Sequence, residues 1–165
     1  MTASVVVPTL GRPSLGALLD VIAPGVAEHG FELLVVDDRP EAGEPLDVDA
    51  IVLPGPARGP AAARNVGWRA AKHDWVVFLD DDVVPDADWA DRLVDDLATA
   101  GDNVGGVQGV LRVPLPGHRR PTDWERVTAG LAEGAWITAD MAYRREALER
   151  CGGFDERLPR AFRED

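Results

Sequence analysis

The chain has a single cysteine, Cys151, among its 165 residues. That excludes an internal disulfide framework and a cysteine-based zinc site. Beside Gly152 the thiol reads as a small buried residue near a helix end rather than as a nucleophile. The three histidines are too scattered to form a metal site. Basic residues are also in deficit, with 17 Lys and Arg against 29 Asp and Glu and a formal net charge of -12. This argues against nucleic acid as a partner, because phosphate backbones require clustered Lys and Arg. It leaves room for a nucleotide, whose phosphates a metal and a few local arginines can meet. No stretch approaches the ~18 apolar residues of a membrane span, and residues 1–3 lead directly into a strand-like segment without a signal-peptide pattern. The expectation is a soluble, cytoplasmic protein. Internal repeats, low-complexity tracts and interdomain linkers are missing as well. A hydrophobic content of 45% suits one globular domain that buries roughly 70% of its unfolded surface.

What is present centres on residues 75–85. The apolar run Trp75-Val76-Val77-Phe78-Leu79 ends abruptly in Asp80, Asp81 and Asp82. A short apolar run without polar alternation, rich in β-branched and aromatic residues, reads as a strand buried on both faces. Such strands belong to parallel α/β sheets, which bind ligands at the carboxyl ends of their strands. Adjacent acids there disfavour one another's ionisation. A hard divalent cation, Mg²⁺ or Mn²⁺, is the simplest way to hold them together; a solvated acidic turn is the plainer alternative.

The rest of the chain builds a sheet around this strand. Ser4-Val5-Val6-Val7-Pro8-Thr9 is a second strand. Ser14 is placed to cap a helix whose apolar face is Leu15, Leu18, Leu19 and Ile22. Pro24-Gly25 is expected to disturb that helix before it resumes through His29. Residues 31–36 form a strand that also ends in acids, Asp37 and Asp38, completing a βαβ unit of ~35 residues with a right-handed crossover. A short strand covers residues 50–53. Pro60 then opens an alanine-rich helix to Lys72, in which Gly67 implies close packing. Arg58 and Arg64 fall near the start of this helix, where a phosphate would find free amides and a favourable dipole; pairing with surface acids is the other reading. Pro85-Asp86 opens a helix through Leu97 with Trp89, Leu93, Val94 and Leu97 inward. Residues 104–113 form a glycine-interrupted strand, and residues 114–122 a loop carrying His118, Arg119 and Arg120, read as a mobile surface loop or a flap near anionic substrate. Asp123 or Thr122 caps a short helix through Leu131. Residues 135–143 form a last strand, and residues 144–151 a helix ended by Gly152-Gly153. Trp68, Trp75, Trp89 and Trp124 are assigned to packing. The order argues for a single α/β domain with a mostly parallel sheet.

Six segments occur together and in register: Val5-Val6-Val7-Pro8-Thr9, Val35-Val36-Asp37-Asp38, Ala63-Arg64-Asn65-Val66-Gly67, Phe78-Leu79-Asp80-Asp81-Asp82, Gly152-Gly153-Phe154-Asp155-Glu156 and Glu164-Asp165. With them the sequence resembles the family-two inverting glycosyltransferases of the GT-A fold, which implies a Rossmann-like three-layer α/β/α sandwich with a mostly parallel central sheet. The resemblance implies a nucleotide-diphosphate sugar donor (UDP, GDP or dTDP), an Mn²⁺ or Mg²⁺ cofactor and transfer to an acceptor hydroxyl. It implies that Pro8, Thr9 and Asp38 hold base and ribose, that Arg64 lies near the nucleotide, and that Asp80 and Asp81 face ribose and diphosphate. Asp82 would be the direct metal ligand. Asp165 would be the base that removes the acceptor proton, with Glu164 beside it. Asp140 and Trp136 would contact a sugar, through its hydroxyls and its C–H face respectively.

The resemblance divides the domain into a nucleotide-sugar part, about residues 1–113, and an acceptor-side part, about residues 114–165. Family members usually continue past the Glu-Asp pair into a helix and a basic-aromatic lid, whereas this sequence stops at Asp165. The expectation is therefore a truncated member in which donor binding survives better than transfer. Two other readings stand beside it. One is a nucleotide-sugar-binding or scaffold fragment. The other is a sugar-phosphate nucleotidyltransferase, for which Leu10-Gly11-Arg12-Pro13 is a poor match to the glycine-rich basic loop.

Overall fold

A computed structural model describes residues 2–41 and 43–157. Six strands form one sheet, β1 (Ala3–Thr9), β2 (Glu32–Asp37), β3 (Ile51–Pro54), β4 (Trp75–Leu79), β5 (Gly106–Gln108) and β6 (Asp140–Arg144), in the order β3-β2-β1-β4-β6-β5. The pairs β1–β2, β1–β4 and β2–β3 are parallel, and only β6 runs against its neighbours. Every residue of β1 and β4 is buried, as their unalternating apolar runs require of a sheet covered on both faces. Val5 and Val7 pack with Leu18, Ile22, Leu93 and Leu97 of α1 (Ser14–His29) and α3 (Trp89–Thr99). Val6, one residue out of phase, packs on the other face with Ala63 and Trp68 of α2 (Pro60–Ala70) and Leu148 of α5 (Arg145–Cys151). The result is the expected three-layer α/β/α sandwich.

Several elements differ from the sequence-based expectation. Helix α1 is continuous through Pro24. Its buried stripe of Leu15, Leu18, Leu19, Ile22 and Val26 holds the helix against the sheet, and such packing outweighs local propensity. Gly25 lets α3 approach, since a Cβ there would sit 2.4 Å from the Ala90 Cβ. Ser14 is the first helical residue and no side chain caps that end. Helix α3 begins at Trp89 rather than Pro85, after a turn in which Asp86 and Asp88 both accept from Arg92. The strand expected over 104–113 shrinks to three residues, and the chain leaves the sheet after the Gly109 N–H donates to the Asp140 carbonyl at 2.9 Å. Only the second half of the segment 135–143 is a strand. Its first half is a loop fastened by the Gln108 amide, which donates to the Gly134 carbonyl at 3.0 Å and accepts from the Ile137 N–H at 2.8 Å.

Two burial expectations are corrected. Cys151 is exposed, because the helix ends beside it at the left-handed Gly152 with that turn facing solvent. Trp124 is 78% exposed; it follows Thr122, whose capping box with Glu125 starts α4 (Asp123–Ala129), a helix without a buried residue. Among the described residues no helix is long and apolar enough to cross a membrane.

Candidate active site

The crossovers from β1 turn towards β2 and β3 on one side, and the chain then returns through α2 to β4 on the other. The carboxyl ends of β1 and β4 thus flank a topological switch point, the place where open α/β sheets form ligand crevices. A cleft of about 320 Å³ lies there, lined by Pro8, Thr9, Arg12, Asp38, Gly59, Arg64 and Asp80 to Asp82, among others. Seven sequence-predicted residues, Pro8, Thr9, Asp38, Arg64, Asp80, Asp81 and Asp82, meet in this one cleft.

Register explains the convergence. Thr9 stands opposite Asp37 across the β1–β2 pair, so Asp38 is the first residue past the sheet, its N–H donating to the Thr9 carbonyl at 2.9 Å. The two acids after Val36 then separate. Asp37 is gripped by the Arg39 guanidinium at 2.8 and 2.6 Å, which holds its carboxyl below the usual carboxylate range. Asp38 is buried and accepts from the Gly59 N–H at 2.9 Å, tying the second strand to the start of α2. Gly55 is needed beneath it, because a Cβ there would stand 2.7 Å from the Asp38 Cα.

The three acids after β4 do not form a single group. Asp80 accepts from the buried Arg64 at 2.7 Å. Asp81 accepts from the Thr9 hydroxyl at 2.6 Å and, through its other oxygen, from Arg12 at 3.3 Å. Asp82 accepts from the same Arg12 nitrogen at 3.1 Å and is largely exposed. Desolvation, followed by the charges of Asp80 and Asp81, pushes the Asp82 carboxyl up, with Arg12 opposing. Among the described residues no three His, Cys, Asp or Glu side chains assemble into a metal-holding group. What the cleft offers is a neighbouring pair, Asp81 and Asp82, with hard oxygen donors. A small divalent ion is commonly held by one or two carboxylates with the remaining positions filled by water and substrate phosphates, and the pair fits that mode.

The remaining predicted residues lie elsewhere. Asp140 stands opposite Leu79 in the β4–β6 pair and points to Trp89, whose indole N–H is 3.3 Å from each carboxylate oxygen. Trp136 is 62% exposed, at a left-handed φ of 68°, and stacks on Tyr143 with centroids 6.5 Å apart. It lines a second hollow with Gln108 and Met141, of which Asp140 is not a lining residue. Glu164 and Asp165 lie outside the described residues.

Burial raises the Asp140 carboxyl above its usual range, Asp96 adds to the shift, and the Trp89 donor and the Arg92 charge oppose it. A folded-state pKa above the unfolded one means that the folded chain retains the proton longer. Asp140 therefore lowers stability progressively as pH rises through the window above about 4, the ordinary carboxylate value. Asp140→Asn keeps an acceptor for Trp89 and is expected to raise the melting temperature at pH 7, by about 2–4 °C for each 1 kcal/mol recovered. At pH 3 it should change nothing. A lower melting temperature at pH 7, measured by calorimetry, would show that the ionised carboxylate stabilises this site.

Two contributors went unassigned in the sequence. Arg12 was visible only as part of a turn after the first strand. Asn65 sits within a recognised segment, yet its work is long-range. Its amide donates to the Phe154 carbonyl at 2.9 Å and to Glu156 at 2.8 Å, and its oxygen accepts from the Phe154 N–H and the Trp68 indole at 2.9 Å each. Gly153, at φ +81°, makes this possible, because a Cβ there would lie 2.4 Å from the Asn65 oxygen. The Phe154 ring so placed lies 5.8 Å from the Arg64 guanidinium.

The fold and cleft define an α/β domain with an acid-rich crevice at its switch point, and its solved neighbours are GT-A glycosyltransferases. A model of glycosyl transferase family 2 matches residues 4–152, and the chain belongs to that family. It is 37% identical over 74 residues to a pre-mycofactocin glycosyltransferase of Mycobacterium tuberculosis, covering 40% of this chain and 16% of that protein. It is 34% identical over 85 residues to an uncharacterized glycosyltransferase of Haemophilus influenzae, covering 48% and 29%. The mannosyltransferase PcManGT from Pyrobaculum calidifontis, solved in complex with GDP-Man and Mn²⁺, superposes with a TM-score of 0.67 at 26% identity over 94% of this chain and 48% of that one. The S. aureus protein TarS in complex with UDP-GlcNAc shares the fold at a TM-score of 0.64 and 19% identity, over 94% and 49%. The chain thus spans about half the length of these solved neighbours and less than a third of the curated relatives.

Proposed function

We propose that this chain is the donor-binding catalytic part of a metal-dependent inverting glycosyltransferase that moves a sugar from a nucleotide-diphosphate sugar to an acceptor hydroxyl. The observation that carries the proposal is the convergence of Thr9, Asp38, Arg64 and the Asp80–Asp82 run on one crevice at the switch point. Family membership supports the reaction class, and the GDP-Man and Mn²⁺ bound by the Pyrobaculum neighbour support the ligand class.

In this reading Asp38, held by the Gly59 amide, accepts from a base N–H. Pro8 and Thr9 form the wall against the base and ribose. Asp80, oriented by Arg64, and Asp81, oriented by Thr9, face the ribose and diphosphate. Asp82, helped by Asp81, would hold Mn²⁺ or Mg²⁺, which when bound neutralises charge on the departing nucleoside diphosphate. Asp165 takes the acceptor proton, and the hydroxyl oxygen attacks the anomeric carbon from the face opposite the leaving group, inverting its configuration. A general base of this kind contributes about 10²–10⁴-fold. Trp136 offers an exposed ring to a sugar face, Glu164 stands beside Asp165 on the acceptor side, and Asp140, engaged by the Trp89 indole, is left out of it. The acceptor is an unassigned hydroxyl compound, and a cytoplasmic site of action is part of the proposal.

Calorimetric titration with UDP, GDP and dTDP, each in Mn²⁺ and in EDTA, tests the reading, and metal-dependent binding of one of them is expected. Asp82→Asn is expected to weaken that binding about tenfold or more in Mn²⁺, the equivalent of about 1.4 kcal/mol or more, and to leave binding in EDTA unchanged. Equal losses in both conditions would remove Asp82 from the metal. In the protein with its acceptor supplied, Asp165→Asn should abolish transfer while sparing donor binding; turnover at the wild-type rate would rule Asp165 out as the base.

A further inference from the structure

Arg12 stands in the turn after β1 and reaches across to the acids that follow β4. One guanidinium nitrogen, Nη1, lies 3.3 Å from Asp81 Oδ1 and 3.1 Å from Asp82 Oδ2. It is thus shared between the two carboxylates best disposed to hold a divalent ion. The turn is built to deliver it there. Gly11 adopts φ +73°, a conformation open to glycine at little cost, and its N–H donates to the Thr9 hydroxyl at 2.9 Å. That hydroxyl donates in turn to the other oxygen of Asp81 at 2.6 Å. Pro13 follows directly, with α1 starting at Ser14, so the backbone on both sides of Arg12 is fixed while the side chain itself is 50% exposed. A long, half-exposed side chain on a rigid base can leave its partners without disturbing the fold.

A guanidinium and a divalent cation compete for Asp81 and Asp82, because Arg12 holds one oxygen of each, the Thr9 hydroxyl holds the second Asp81 oxygen, and the two positive charges repel. The surroundings need a positive charge at all times, given the three adjacent carboxylates and a chain of formal charge -12. When a nucleoside diphosphate enters, it brings further negative charge into the same cleft, and a planar guanidinium is well suited to phosphate oxygens.

We infer that Arg12 is a displaceable counter-charge, holding Asp81 and Asp82 in the ligand-free protein and yielding the pair to a divalent cation as its guanidinium turns to the incoming diphosphate. This rests on the donor-binding reading above and adds to it a residue that couples metal and nucleotide occupancy. Arg12 competes with metal when the cleft is empty and cooperates with it when diphosphate is present. Metal binding to the empty cleft is therefore weak by construction, and the nucleotide strengthens it.

The test compares the wild-type protein with Arg12→Gln and Arg12→Lys by Mn²⁺ titration, following free Mn²⁺ by electron paramagnetic resonance, with and without UDP, GDP or dTDP. Circular dichroism and melting temperature check the fold of each variant. Without nucleotide, Arg12→Gln is expected to bind Mn²⁺ about tenfold tighter than wild type, the equivalent of about 1.4 kcal/mol, and Arg12→Lys to stay close to wild type. In EDTA, Arg12→Gln is expected to bind the preferred nucleotide severalfold more weakly. Mn²⁺ affinity in Arg12→Gln equal to or below that of wild type would overturn the inference, as would equal tightening in Arg12→Lys. Wild-type protein that takes up no Mn²⁺ even with all three nucleotides would overturn the metal-dependent reading itself, and this inference with it. Wild-type protein that binds Mn²⁺ and nucleotide while Arg12→Gln shows no change in either would defeat the role of Arg12 alone.

Discussion

Replacing Arg64 with methionine is expected to destabilise the protein by about 3 kcal/mol and to abolish measurable nucleotide binding. The Arg64 side chain is 1% exposed and donates to Asp80, which is 24% exposed. Removing one member of a buried ion pair leaves the other charge uncompensated, typically at a cost of about 3–5 kcal/mol. The lower end applies here because Asp80 keeps some access to water. Methionine fills much of the same volume, so the loss reports charge rather than a cavity. The double variant Arg64→Met, Asp80→Asn removes the stranded carboxylate and should recover a large part of the stability without recovering binding. Denaturant unfolding of Arg64→Met, Asp80→Asn and the double variant measures the coupling. A single-variant loss under about 1 kcal/mol would mean that Asp80 is well served by solvent and that Arg64 does not hold it in place.

The second large effect concerns Gly67, far from any ligand chemistry yet decisive for where Arg64 stands. A Cβ at this position would lie 2.2 Å from Val6 Cγ1, 3.1 Å from Val6 Cγ2 and 3.3 Å from Val36 Cγ2. Val6 and Val36 are fully buried in β1 and β2, so neither can move aside freely. Alanine would gain about 1 kcal/mol of helix propensity, but overpacking of a tight core costs about 1–3 kcal/mol and occasionally more. Gly67→Ala should therefore be destabilised despite its better helix former, and Gly67→Leu should fail to fold. Adding Val6→Ala to Gly67→Ala makes room for the new methyl group. The pair should be more stable than the sum of the two single losses predicts, as measured by urea unfolding. Strict additivity would show that α2 adjusts its distance from the sheet instead. Because α2 carries Arg64 and its first turn supplies the Gly59 neighbourhood, any such shift should also appear as weaker nucleotide binding.

Much of this protein was readable from local pattern. The buried strands declared themselves because a strand covered on both faces must be apolar at successive residues, and Val5-Val6-Val7, Leu33-Leu34-Val35-Val36 and Val76-Val77-Phe78-Leu79 are so. The acids directly after those runs had to lie at one edge of a parallel sheet, which is why seven predicted residues meet in one cleft. Pro60 at the start of α2, Gly67 at a close approach and Gly152 past the end of α5 were equally legible, each being a local conformational demand.

What escaped the sequence depends on partners distant along the chain. Arg12 meets Asp81 and Asp82 across 69 and 70 residues, and Asn65 meets Phe154 and Glu156 across 89 and 91. No periodicity marks such a pairing. Pro24 looks like a helix breaker until the apolar stripe around it is packed against the sheet. Residues 110–113 look like strand until the sheet runs out of a partner for them. Trp136 and Asp140, paired as sugar contacts in the sequence, diverge because Trp89 of α3 claims the carboxylate and Tyr143 of β6 takes the ring. The sequence alone determined the layers, the sheet edge and the acids on it, because strand burial and side-chain period are local properties of the chain. The tertiary structure alone decided which acid faces which arginine, because ion pairs and tight contacts are settled by where folded elements meet.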